Sequence, residues 1–245
     1  VGEWVDVMMR CQGPVVRAMT AVFYADVAVE DDANLQEVQA ALEQYASEMA
    51  VTRPIVADTI TNRGAAVQLI PSAPDQDSHV IYDTIICALH AATERIVITT
   101  PYFIPDEPLL KALTTAAKRG VAVTLIIPEK VDSLLVRYAS RAYYPMLLEA
   151  GVRLALFHGG LLHAKTITID DDYTLFGTVN MDMRSFFLNL EVSLAIYDAD
   201  VTGQVYAQQL AYLQDSHYIE VKAWQQRARW WGLVENSVRL MSPLL

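Results

Sequence analysis

The sequence predicts an α/β fold, a mixed, largely parallel sheet flanked by helices on both faces, and three features carry that prediction. Strand-like and helix-like segments alternate from Val67 to Phe157, the rhythm of β-α-β units. Val121–Ile127 is almost continuously apolar, as a strand covered on both faces must be. After Phe157 three strand-like segments follow one another directly, at about 162–169, 174–179 and 189–197. That change of rhythm makes the sheet mixed.

The N-terminal stretch sets a pattern that returns later. Residues 2–10, GEWVDVMMR, have strand-like composition, and Gly13-Pro14 open a helix-like run, PVVRAMTAVFYADV. From Leu190 the string LEVSLAIYDADVTGQVYAQQLAYL repeats the order, an apolar strand with an early acid leading into a helix. Residues 1–29 are therefore expected to be the closing strand and helix of a first copy of a repeated unit; an unrelated strand-helix pair is the alternative. From Glu30 to Thr61 the chain is acidic, and Leu35, Val38, Leu42, Tyr45 and Met49 recur at helical spacing. Residues 30–66 read as an acidic helical linker, with Pro54 and Gly64 in its connecting part.

The second unit is expected over residues 67–220. Val67–Ile70 is a short strand, and Asp77 or Ser78 can cap a helix running to about Ala92. Arg95–Thr99 is the next strand and ends in the turn PYFIP. Asp106 caps a helix whose apolar face holds Leu109, Leu110, Leu113, Ala116 and Ala117, and Gly120 stands where a left-handed cap belongs. Ser133–Ala150 is helical, divided or kinked at Pro145 and stopped at Gly151. Val152–Phe157 is a strand, and residues 200–217 return to helix. The tail, 221–245, interleaves Trp224, Trp230 and Trp231 with Arg227, Arg229 and Arg239. Such a tail suits a bilayer interface or packing on the protein body.

Composition narrows the function. The 245 residues are 53% hydrophobic, ample for a buried core, and the formal net charge is −11. A general nucleic-acid binder needs clustered cations, so no nucleic-acid partner is expected, and broad electrostatic attraction to an anionic membrane is disfavoured. Cys11 and Cys87 match no metal or redox spacing and read as buried free thiols. No apolar run approaches the ~20 residues of a bilayer span, and no signal peptide is visible. The chain opens on Val1-Gly2-Glu3-Trp4, inside a strand-like segment without an initiator Met, so a fragment of a longer protein is expected.

The chemistry concentrates between Gly159 and Glu191. His163, Lys165 and Asp170 form H-x-K-x-x-x-x-D, followed by G-T-x-N at Gly177–Asn180. Residues two apart on a strand share a face, so His163 and Lys165 are expected side by side at the rim of an apolar face. Asp170 has the opposite parity and reads as a turn-holding acid. Thr178 and Asn180 share a face on the next strand. On the third, Glu191 shares a face with Ser193, while Leu190, Val192, Leu194 and Ile196 are expected to face the core. An imidazole, an ammonium, an amide, a hydroxyl and a carboxylate together suit attack on a phosphodiester without metal. Glu191 is the acid expected to orient the imidazole.

HAKTITID followed by GTVNMDMRS resembles the second HKD motif of the phospholipase D superfamily. The wider string GGLLHAKTITIDDDYTLFGTVNMDMRSFFLNLEVSLAIYD, with TTPYFIP, VDSLLVRYASRAYY and the ending SPLL, resembles bacterial cardiolipin synthases. The resemblance covers most of residues 1–29 and 67–245. It implies two facing HKD units, a phosphohistidine intermediate on one His, acid-base work by the other, and no metal or cofactor. It further implies transfer of a phosphatidyl group between two phosphatidylglycerol molecules with release of glycerol, at the bacterial inner membrane. By resemblance His163 and Lys165 are catalytic, Thr178 and Asn180 bind phosphate, and Asp6 is the first unit's counterpart of Glu191.

A single H-x-K is present, because His79, His90, His158 and His217 lack the following lysine. The missing N-terminal HKD domain must come from the same longer chain or from a second subunit, and the fragment alone is expected to be inactive. Hydrolysis of phospholipid by the same fold, and an inactive lipid-binding domain, are the competing readings.

Overall fold

The computed structural model describes residues 3–30, 64–74, 79–131 and 133–239, together with positions 40 and 43. The acidic helix expected between Glu30 and Thr61, the proposed caps Asp77 and Ser78, and the SPLL ending lie outside the described residues. In chain order the strands begin with β1 (Trp4–Val5), β2 (Ala66–Ser72), β3 (Arg95–Thr99), β4 (Phe103–Ile104), β5 (Ala122–Pro128) and β6 (Arg153–Phe157). They continue with β7 (Leu161–Leu162), β8 (Thr166–Ile169), β9 (Tyr173–Gly177), β10 (Met181–Asp182), β11 (Glu191–Tyr197) and β12 (Ser216–Tyr218). The helices are α1 (Pro14–Glu30), α2 (Val80–Ala91), α3 (Glu107–Lys118), α4 (Leu134–Arg141), α5 (Tyr144–Ala150), α6 (Met183–Phe187), α7 (Ala199–Gln214), α8 (Val221–Gln225) and α9 (Arg229–Arg239).

Eight of these strands make the main sheet, in the order β12-β6-β5-β3-β8-β9-β11-β2. Parallel neighbours are confined to β3, β5 and β6, which are joined by helical crossovers long enough to return the chain to the same edge. The remaining neighbours are antiparallel. A short turn, Asp170–Asp172, suffices for β8 and β9. Because β8 runs against β3, its first residue Thr166 lies opposite Thr99. The segment before Thr166 is thereby delivered to the carboxyl edge of the parallel strands, where α/β sheets present their ligand sites.

Both sheet faces are covered. The larger core gathers Ile81, Ile85 and Leu89 of α2, Leu109 and Leu113 of α3 and Leu147 of α5 against Ile96, Ile98, Val123 and Leu125. The smaller one places Tyr212 of α7 over Val97, Ile126, Ala155 and Phe157, with Val5 and Val7 at its margin. The α3 cap forms as its residues dictate, with Asp106 Oδ1 accepting the Leu109 N–H at 3.0 Å, a contact worth about 1 kcal/mol.

Several expectations change in detail. Only Trp4–Val5 of the N-terminal stretch is strand; it pairs in parallel with β7, outside the main sheet. The strand expected over 162–169 is broken at 163–165, since His163 and Lys165 are turned to the rim instead of continuing the ladder. The α2 helix starts at Val80, with no side-chain cap from His79. The helix over 133–150, by contrast, is divided as expected, into two helices meeting before Pro145. The segment 216–218 leaves the helix expected there and pairs with β6 as an edge strand. Leu190 is exposed, because it precedes the strand instead of lying in it. Neither cysteine is fully buried: Cys11 is half-buried and Cys87 exposed, the latter on the outer face of α2.

The Trp/Arg tail engages the body. The Arg227 guanidinium lies 3.2 Å from the centroid of the Trp224 ring, and Trp231 stacks on Tyr138 of α4 at 5.9 Å. Glu235 is 2% exposed and receives Arg141 at 3.1 Å and Arg227 at 2.8 Å, so its buried charge is compensated. Trp230, by contrast, remains 52% exposed.

Candidate active site

His163 is placed by the pairing of β1 with β7. The Leu161 N–H donates to Glu3 O at 2.8 Å and the His163 N–H to Val5 O at 2.7 Å. Gly160 makes this approach possible: its φ is +144°, and a Cβ there would lie 2.6 Å from Glu3 O. The same pairing brings Trp4 edge-on to the imidazole at 4.7 Å and sets Asp6 Oδ2 3.1 Å from His163 Nδ1. A carboxylate only accepts, so this contact assigns the proton to Nδ1 and leaves the lone pair on Nε2.

Lys165 folds back over the same ring. Its Nζ lies 2.9 Å from both imidazole nitrogens and donates to His163 O at 2.6 Å. Nε2 is the nitrogen free to accept from it. Burial pushes the ammonium down to about 8, against the pull of Asp6, Glu191 and Asp182, which favour the charged form.

The other expected residues divide. Glu191 is 9% exposed; it accepts from the Thr178 hydroxyl and from Asn189 Nδ2 at 3.2 Å. The carboxylate at the imidazole is Asp6, brought there because the N-terminal strand runs directly beside β7. Thr178 spends its hydroxyl on Glu191 and accepts from the Val192 N–H at 3.0 Å. Asn180 donates to Ser185 Oγ at 3.2 Å, while its Oδ1 is buried without a partner among the described residues.

Asp170 lies at the far end of β8 from His163. With φ at +49°, it accepts from Thr93 N–H at 3.0 Å, Thr93 Oγ1 at 2.8 Å, Glu94 N–H at 2.8 Å and Arg95 N–H at 2.8 Å. The third residue of the motif therefore joins the turn to the start of β3. Asp182 was not among the expected site residues. It is 6% exposed and caps α6 through Ser185 N–H at 2.8 Å; an Asp directly before a helical run is the signal that marks a cap.

The family model described as "Cardiolipin synthase, PLD-like domain" matches residues 85–212. The chain belongs to this family. It is 38% identical over 245 residues to cardiolipin synthase A of Buchnera aphidicola subsp. Acyrthosiphon pisum, and 38% identical over the same length to cardiolipin synthase A of Klebsiella pneumoniae strain 342. In each case all of this chain and 48% of the relative are covered, so the chain spans about half the length of the curated relatives it matches. Among solved structures it resembles the phosphatidylserine synthase of Haemophilus influenzae Rd KW20, with a TM-score of 0.60 at 18% identity over 86% of this chain and 55% of that one. It also resembles Nuc, a phospholipase D family member from Salmonella typhimurium, with a TM-score of 0.53 at 21% identity over 64% of this chain and 99% of that one. Both likenesses concern the fold. A phospholipase D-like sheet flanked by helices is thus shared well beyond the cardiolipin synthase family.

Proposed function

We propose that this chain is one half of a cardiolipin synthase, transferring a phosphatidyl group between two phosphatidylglycerol molecules at the surface of the bacterial inner membrane. The observation that carries the reading is the Asp6–His163–Lys165 cluster in a chain of the cardiolipin synthase family. The second imidazole of the reaction comes from the missing HKD domain, in the same longer chain or in a second subunit.

In the first step an imidazole nitrogen attacks phosphorus, a P–N bond forms and the P–O bond to glycerol breaks. The other imidazole gives the leaving oxygen its proton. In the second step that imidazole takes the proton of a headgroup hydroxyl on a second phosphatidylglycerol, whose oxygen attacks phosphorus as the P–N bond breaks. His163 is suited to either imidazole role, since Asp6 holds the proton on Nδ1 and leaves Nε2 to react. Lys165 and Asn180 are the donors for the charge on the phosphoryl oxygens, with Thr178 at the edge of that site and Glu191 holding Thr178.

His163→Ala in the full-length protein is expected to abolish cardiolipin formation from phosphatidylglycerol while leaving the circular dichroism spectrum and melting temperature unchanged. Product formed by the purified variant at more than a trace of the normal rate would overturn the reading.

A further inference from the structure

Helix α9 has two unlike sides. Trp231, Glu235 and Val238 fall at i, i+4 and i+7 and face the body: Trp231 stacks on Tyr138, Glu235 receives Arg141 and Arg227, and Val238 packs against the larger core. Trp230, Leu233 and Val234, at i, i+3 and i+4, share the other side and are exposed, Leu233 to 73%. The contacts of Tyr138 with Trp231, Arg141 with Glu235 and Tyr143 with Arg239 rise together in both segments, so α4 and α9 run the same way. Leu134 and Leu135, at the start of α4 and also exposed, therefore lie at the Trp230 end of the pair. Single exposed apolar residues are ordinary, but five on one helix pair make a surface that asks for a partner.

Charge sets this surface apart from the rest of the molecule. The chain carries −11 overall, yet α4, α8, α9 and the residues joining the last two hold six cations, Arg137, Arg141, Lys222, Arg227, Arg229 and Arg239, against one acid, Glu235. That acid is buried, and Glu129 and Glu220 line the cavity beneath. Salt screens exposed charges beyond ~8–10 Å, so acids across the sheet do not cancel the local excess. The surface also adjoins the reactive edge. The cavity, of about 420 Å³, runs from Val136 and Arg137 of α4 and Trp224 of α8 to Pro101 and Pro128, at the carboxyl ends of β3 and β5, the edge to which His163 is delivered.

We propose that the outward side of α9, with the start of α4, is a docking surface for an anionic phospholipid bilayer. Trp230 and the leucines enter the interface and the surrounding cations meet lipid phosphate. The choice of a bilayer as occupant rests on the phospholipid reading of the site, since such a substrate must reach the reactive edge from the plane of the membrane.

The test uses the full-length protein with the native cysteines replaced by serine, carrying a fluorophore at Leu233→Cys or at Leu210→Cys. Leu210 is exposed on α7, which covers the opposite face of the sheet. In phosphatidylglycerol vesicles with brominated acyl chains, the label at position 233 is expected to be quenched and the label at position 210 not. No quenching at 233 would give the surface to a protein partner and overturn the proposal, as would equal quenching at both positions. Turnover gives a second readout. Trp230→Ser combined with Leu233→Ser is expected to lower kcat/KM on vesicle phosphatidylglycerol ~10-fold or more, while leaving turnover of a monomeric short-chain phosphatidylglycerol and the melting temperature as in the parent. Loss on both substrates alike, or on neither, would also overturn the docking role. Should the labels behave as expected while His163→Ala retains activity, the docking surface stands and the reaction assignment fails; the reverse result separates them the other way.

Discussion

Asp6 and Asp170 both hold the segment that carries the chemistry, one at each end, and they are built in opposite ways. Asp170 takes four hydrogen bonds from three consecutive residues of another segment, and Arg95 donates to its carbonyl oxygen. Asp6 is 55% exposed; besides its contact with His163 it accepts a local bond from the Val7 N–H at 2.9 Å. The far end of β8 is thus fastened by its acid, whereas the near end is held by the β1–β7 pairing and its acid makes one exposed contact. The two ends should fail differently.

The largest effect on stability is expected at the fastened end. Asp170→Ala removes the acceptor for four donors and places alanine at a left-handed φ, at a combined cost of about 3 kcal/mol. Burial raises the Asp170 carboxyl, but the hydrogen bonds from Arg95, Glu94 and Thr93 outweigh it and hold the group below its ordinary value. A depressed pKa contributes stability above the unfolded value, near ~4, that is lost as pH falls through the folded one. The melting-temperature gap between the parent and Asp170→Asn should therefore shrink as pH is lowered from neutral to about 3. A gap that stays constant over that range would show that the carboxylate charge does not hold the turn.

Two glycines separate the ends by a smaller margin. A Cβ at Gly177 would overlap Ser193 Oγ and the Val192 carbonyl, inside the main sheet. Gly177→Ala is expected to cost about 1–3 kcal/mol of global stability. A Cβ at Gly160 would instead meet Glu3 O and Val5, on the two-residue pairing that brings Asp6 in. Gly160→Ala is expected to lower turnover in the full-length protein more than it lowers the melting temperature. The opposite ranking, Gly160→Ala the less stable of the two, would show that β1 is part of the folding core.

How much of this was legible follows from the range of the forces involved. Period, caps and apolar runs are local, so β3, β5 and the α3 helix with its Asp106 cap were readable almost to the residue. His163 and Lys165 were readable as neighbours for the same reason. Asp170 could be set apart from them by strand parity, but its partners at Thr93–Arg95 lie 75 to 77 positions away and leave no pattern in the sequence. Glu191 is legible as an acid on a strand that follows the motif, but the neighbour that Asp6 makes of His163 depends on the parallel strand Trp4–Val5 and on pairing across some 157 positions. Asp182 was missed because a buried acid and a helix cap look alike in sequence.

The smallest effect expected is also the one that decides between the two acids. An exposed contact such as Asp6–His163 is worth about 0.5–1 kcal/mol, so Asp6→Asn should lower kcat only about two- to fivefold. It should also shift the alkaline limb of Lys165 downward, because one of the charges favouring the ammonium is gone. Glu191 is buried and holds Thr178, so Glu191→Gln is expected to act mainly on KM if it only supports the phosphate edge of the site. A Glu191→Gln enzyme that binds phosphatidylglycerol normally but has lost kcat, beside an Asp6→Asn enzyme with the parent's rate, would transfer the orienting role to Glu191. The exposed contact at Asp6 would then have no part in turnover.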